Sequence, residues 1–140
     1  MESAPPDSWQ EWFMIQDLYN RYFAALDNGP DEQWVDCFTP DGVLETPSLG
    51  ILGAGHAALA AWIKDYHESW EKDEQRRHML TNLSLDVHGG SATGNCYLTA
   101  YHCSAGKANI GVVGYYRDKL VKVDGAWRFS YRLVVVDGQG

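Results

Sequence analysis

Cysteine is scarce in this chain: Cys37, Cys96 and Cys103 are three among 140 residues, an odd number with no C-x-x-C spacing. Neither a disulfide framework nor a zinc knuckle is indicated, and a reducing, cytoplasmic setting is expected. Positive charge is also short, with 11 Lys and Arg against 19 Asp and Glu and a net charge of −8. A surface of that sign repels phosphate backbones and anionic headgroups, so neither nucleic acid nor a membrane is expected as a partner. Long apolar runs are missing too. The stretch from Val87 to Gly106, free of Asp, Glu, Lys and Arg, is broken by Gly, Ser, Thr and Asn and lacks the continuous apolarity of a membrane span. The first residues, Met1 to Asp7, hold prolines and acidic residues where a signal peptide needs a basic start and an apolar run. The five histidines fall in no H-x-x-x-H or H-E-x-x-H pair, which leaves no metal expected, and no G-x-S-x-G elbow marks a serine nucleophile.

What is present is material for a core. Apolar residues make up 45% and aromatics 13% of the chain, enough for one domain over 1–140 with a flexible leader at 1–8. Trp12, Ile15, Tyr19, Tyr22 and Leu26 recur at helical steps, with Leu18 and Phe23 widening the stripe, and Asp27-Asn28-Gly29-Pro30 ends that helix. A short helix with Trp34, Val35 and Phe38 follows. A hairpin is read between Thr39 and Gly53, then a third helix from Gly55 to about Trp70 with Leu59, Trp62, Ile63 and Tyr66 on one side. From Arg77 the period changes to two. Gly89-Gly90, Ala105-Gly106-Lys107 and Asp124-Gly125 punctuate a meander of long strands around 92–104, 110–123 and 126–136. The class is α+β, three helices packed on one face of a curved antiparallel sheet. Gly53-Ala54-Gly55-His56-Ala57-Ala58 matches a dinucleotide fingerprint, but hairpin-linked strands after it do not make a Rossmann unit.

Four residues stand out against this background. Asp27, at the C-terminal end of the first helix, lies on the wrong side of the macrodipole and requires a cationic partner or donors, unless it serves only as turn chemistry. His78 opens the first long strand, where an imidazole is more often structural than catalytic. His102 shares its strand face with Cys96, Leu98 and Ala100, which suits a pocket or a core. Arg132 is a charge on an apolar last strand and needs an anionic partner or an open rim. His78 has the opposite parity from Leu83, Leu85 and Val87, and Arg132 from Trp127 and Phe129. Either a bulge shifts the register or both sheet faces are partly buried, one by a pocket and one by a partner subunit.

Ile15-Gln16-Asp17-Leu18-Tyr19 leading to Asp27, Arg77-His78-Met79-Leu80-Thr81-Asn82-Leu83, and Asp124-Gly125-Ala126-Trp127-Arg128-Phe129 follow one another along the chain. In this order they resemble the SnoaL-like branch of the nuclear transport factor 2-like superfamily. The resemblance implies a cone-shaped α+β barrel with a deep apolar pocket. Its nearest members in pattern, scytalone dehydratase and hexachlorocyclohexane dehydrochlorinase, are cofactor-free eliminases with an Asp–His pair. Carried over by residue, Asp27 and His78 correspond to that pair, and His102 resembles a second catalytic histidine. Arg132 resembles a pocket arginine, while Tyr22 and Tyr116 take the places of a pocket lysine and asparagine. Glu45, on the hairpin, joins them as a substrate-contacting candidate. The resemblance implies a dehydratase, isomerase or cyclase acting without a cofactor on a small hydrophobic, oxygenated substrate. The alternatives within the superfamily are an epoxide hydrolase or epoxide-opening cyclase and a non-catalytic ligand-binding or assembly subunit. Apolar residues on both parities of the meander, Val113 and Tyr115 against Val112 and Tyr116, predict a homodimer through the face away from the pocket.

Overall fold

A computed structural model describes residues 8–139. The first helix, α1 (Ser8–Asn28), buries Ile15, Leu18, Tyr19, Tyr22, Phe23 and Leu26, the stripe read from the sequence. It ends where Gly29 N donates to the Ala25 carbonyl at 2.7 Å. The expected leader at 1–8 lies outside the described residues, except that Ser8 already belongs to α1. Next come α2 (Asp31–Asp36), β1 (Phe38–Thr46), β2 (Gly50–Ala54) and α3 (His56–Glu68). Phe38, expected on the short helix, opens β1 instead, because α2 ends at Asp36 and Phe38 pairs with Phe129 on the last strand. The chain then meanders through β3 (Gln75–His88), β4 (Ser91–Ser104), β5 (Lys107–Val123) and β6 (Ala126–Val136). Asp124 and Gly125 join the last two strands with φ of 51° and 80°, the left-handed pair that a two-residue hairpin turn demands.

The sheet order is β2-β1-β6-β5-β4-β3. It is mixed, since β1 pairs with β6 in parallel while the other neighbours are antiparallel; the all-antiparallel expectation fails at this one pair. A hairpin early in the chain can join the last strand only by a long-range pairing that no local pattern announces. All five neighbouring pairs contain a register shift. Each extra residue bends and twists its strand, and together they curve the sheet around the helices.

Two of those shifts answer the parity conflict. Between Thr81 and Ser84 the β3–β4 register slips, with Asn82 at φ 57°. Arg76, His78 and Leu80 therefore turn to the same face as Leu83, Leu85 and Val87. On β6, Ser130 is the extra residue between Phe129↔Leu120 and Tyr131↔Lys119, and it brings Arg132 inward beside Phe129. The segment 53–58 is a β2-to-α3 turn. A Cβ at Gly53 would lie 3.0 Å from the Leu59 side chain, so close packing of helix on strand accounts for that glycine.

Candidate functional site

Between the helices and the concave sheet face lies a cavity of about 310 Å³. Leu26, Leu44, Leu52, Leu98, Ala100, Val112, Val134 and Val136 make its walls mostly apolar, and Tyr22, Trp62, Tyr66, Arg76, His78, His102 and Tyr116 line it as well. Of the last seven, Arg76, His78, His102 and Tyr116 come from strands, which hold side chains more rigidly than loops do.

The Asp27–His78 pair forms across 51 residues of sequence because α1 packs on β3. His78 donates twice to one carboxylate: its backbone N–H to Asp27 Oδ2 at 3.0 Å and its Nδ1–H to Oδ1 at 2.5 Å. An ionised carboxylate only accepts, so the shared proton is on Nδ1 and the Nε2 lone pair is left for the cavity. These two donors resolve the unfavourable placement of Asp27 at a helix C-terminus. Both side chains are under 10% exposed, and Phe23 stacks on the imidazole at 6.1 Å and 15°. From α3, His67 bonds the Leu26 carbonyl at 2.8 Å and the Asp31 carboxylate at 2.7 Å, which anchors the end of α1 next to Asp27. Asp27 itself does not line the cavity; His78, which it holds, does.

Tyr66 presents its hydroxyl 3.5 Å from His78 Nε2, and burial raises its pKa. Burial also pushes Tyr22 up to about 12 and Tyr116 well above the ordinary tyrosine value. All three therefore face the cavity as neutral phenols that can donate a proton or a hydrogen bond. His102 sits at the rim with its side chain 39% exposed and Nδ1 3.9 Å from Glu74, apart from the dyad. Gly111 makes room for it, since a Cβ there would lie 2.5 Å from His102 Nε2.

Two expected substrate contacts are not in the lining. Arg132 is fully buried and forms a two-point pair with Asp118, Nε to Oδ1 at 2.7 Å and Nη2 to Oδ2 at 3.0 Å. Its guanidinium lies against the rings of Tyr116 and Tyr22, 3.8 and 4.3 Å from their centroids, so those rings separate it from the cavity. Tyr19 completes the set by donating to Asp118 at 2.5 Å. Of the two needs read for Arg132, the anionic partner is the one met. Glu45 alternates with the cavity residues Leu44 and Thr46, and so faces the other side of β1, where Tyr131 donates to it. Sequence reading missed Asp118, which looks like part of a solvated Arg-Asp-Lys run; its parity with Tyr116 and Leu120 was the available signal. It also missed Arg76, which shares parity with His78, and took Tyr66 for core. Among the described residues no group of three or more His, Cys, Asp or Glu could hold a metal ion, and no helix is long and apolar enough to cross a membrane.

A family model described as a SnoaL-like domain matches residues 14–133. The chain belongs to the SnoaL-like domain family. A relative from Burkholderia cepacia, the anthranilate 1,2-dioxygenase small subunit, is 28% identical over 98% of this chain and 92% of its own length. A Catenulispora acidiphila protein, solved in complex with S-DNPA, is 30% identical with a TM-score of 0.83 over 93% of this chain and 96% of that one. A Novosphingobium aromaticivorans protein described as NTF2-like with a cystatin-like fold is 23% identical with a TM-score of 0.82, covering 94% of this chain and 86% of that one; it shows the shared fold.

Proposed function

We propose that this SnoaL-like chain is an enzyme performing cofactor-free general acid–base chemistry, a dehydratase, isomerase or cyclase acting on a small hydrophobic, oxygenated molecule of polyketide-, terpenoid- or steroid-like character. The observation behind this reading is the dyad: a carboxylate holds His78 in the Nδ1–H form, and its free Nε2 faces a cavity of apolar walls and neutral phenols. A binding cone has no need of so oriented a base. Nε2 takes a proton from a carbon activated by a neighbouring carbonyl. The C–H electron pair then forms an enolate, which moves the proton to another site, attacks a second carbonyl, or expels a hydroxyl that leaves as water after protonation. Tyr66 is placed for that protonation, with His102 at the rim and Tyr22 and Tyr116 hydrogen-bonding the developing oxyanion. Asp27 is a positioning residue that stabilises the imidazolium.

Mass-spectrometric screening of hydroxylated and carbonyl metabolites against the purified protein tests this. With a substrate in hand, His78→Ala is expected to lose about 10²–10⁴-fold in turnover. Leu120→Ala, a buried truncation outside the cavity, is expected to cost about 2–5 kcal/mol of stability without slowing the folded enzyme. A second reading, a ligand-binding or assembly subunit, is favoured by the similarity to a dioxygenase small subunit along nearly the whole chain. Turnover that survives His78→Ala overturns the enzymatic reading and leaves that one.

A further inference from the structure

The cavity has a charged corner that acid–base chemistry at His78 leaves unused. Arg76 stands two residues before His78 on β3, so both side chains leave the sheet toward the cavity, about 6–7 Å apart along the strand. Its guanidinium is wedged between the rings of Tyr66 and Trp70, with Cζ 5.1 Å from each centroid. Nε donates to Glu74, whose carboxylate also accepts from the Glu71 backbone N–H at 3.2 Å. His102, directly across the strand pair from Arg76, approaches the same Glu74 carboxylate.

If Arg76 and Glu74 were merely a clasp on the loop before β3, the guanidinium fork would be expected to close on the carboxylate at two points, as Arg132 does on Asp118. Here the bond to the carboxylate runs through Nε alone; the Tyr66 hydroxyl also draws on the guanidinium, and the rest of the terminal N–H fork is left for a further partner. The side chain is 17% exposed and borders an apolar space, where a cation with unspent donors is costly. The wall beside it is flat and aromatic, with Trp62 and Tyr66 stacked at 5.1 Å and 12°. A volume of about 310 Å³ is roughly twice the 150 Å³ cavity that takes up benzene, room for one or two fused rings.

We propose that Arg76 anchors a carboxylate on the ligand, so that the cavity selects planar organic acids, aromatic or enolic, over neutral hydrophobes of the same shape. The ring lies on the Trp62–Tyr66 wall and the carboxylate takes the open edge of the guanidinium. A carbon a few bonds from the carboxylate then falls next to His78 Nε2. That last step rests on the acid–base reading of His78, whereas acid binding at Arg76 does not.

Calorimetric titration with cinnamate and its neutral isostere cinnamamide separates the two. Wild-type protein is expected to prefer the acid by at least about 10-fold, and Arg76→Gln to weaken acid binding by about 10–100-fold while amide binding stays the same. Arg76→Lys, which keeps the charge and loses the fork, is expected to fall between them. His78→Asn is expected to retain the preference. Equal affinities in the wild type, no binding of either compound at millimolar concentration, or a preference that survives in Arg76→Gln overturns the assignment. If Arg76→Gln does not fold, the wild-type comparison and Arg76→Lys decide. Acids that bind through Arg76 and are never turned over count against the catalytic reading alone.

Discussion

Asp27→Asn removes one charge and one acceptor, and its consequence can be worked out from two distances. In the native pair each carboxylate oxygen accepts one N–H of His78, the backbone at 3.0 Å and Nδ1 at 2.5 Å. The amide offers one acceptor and one NH2 to the same two positions. The backbone N–H is immovable, so the amide oxygen is expected to stay with it and the NH2 to face Nδ1. Nδ1 must then accept, the imidazole proton moves to Nε2, and the cavity meets a donor where it had a base. The same exchange in the serine-protease triad costs about 10⁴ in turnover, and a loss of about 10²–10⁴ is expected here. Losing one charge-assisted hydrogen bond costs about 1.5–3 kcal/mol, which for a chain of this size lowers the melting temperature by roughly 5–10 °C. Long-range ¹H–¹⁵N correlation of the His78 ring reads the tautomer directly, without a substrate. A ring that keeps its proton on Nδ1 in Asp27→Asn, or full turnover by that variant, refutes the reasoning.

Asp118→Asn leaves Arg132 buried without its counter-ion, a change that costs about 3–5 kcal/mol in comparable pairs; a melting temperature lower by about 10–20 °C is expected by calorimetry, and a shift under about 3 °C refutes the pair's role. On the convex face Met79, Tyr97 and Val113 are 53, 59 and 46% exposed; the register sets Met79 and Val113 on either side of Thr99, with Tyr97 two residues along β4. We expect a homodimer through this face: light scattering at micromolar concentration is expected to give twice the chain mass for the wild type and the monomer mass for Val113→Asp, and a monomeric wild type refutes it.

Most of the element order is legible in the chain because it is local. The 3.6-residue stripe of α1 marks the face it buries, and the Asp124-Gly125 turn states its own hairpin, since only certain residues tolerate φ > 0 there. The candidate dyad was within reach through the family resemblance that pairs Asp27 with His78; the residues themselves asked for a partner only at Asp27, a carboxylate at a helix C-terminus. What each side chain touches was decided by contacts far apart in sequence. The slips at Asn82 and Ser130 turn His78 and Arg132 to the concave face; parity shows the conflict but leaves open whether a slip or burial of both faces resolves it. Arg132 read as a pocket cation and became a core one, because Asp118 on the neighbouring strand takes it first and two tyrosine rings cover it. Arg76, unremarkable in an Arg-Arg pair, gained its place in the cavity from the aromatic residues that α3 and the segment after it fold against it. Periodicity within one segment encodes which face that segment buries. Which partner meets that face depends on register, bulges and the parallel β1–β6 pairing, and these are settled only when the whole sheet closes on its helices.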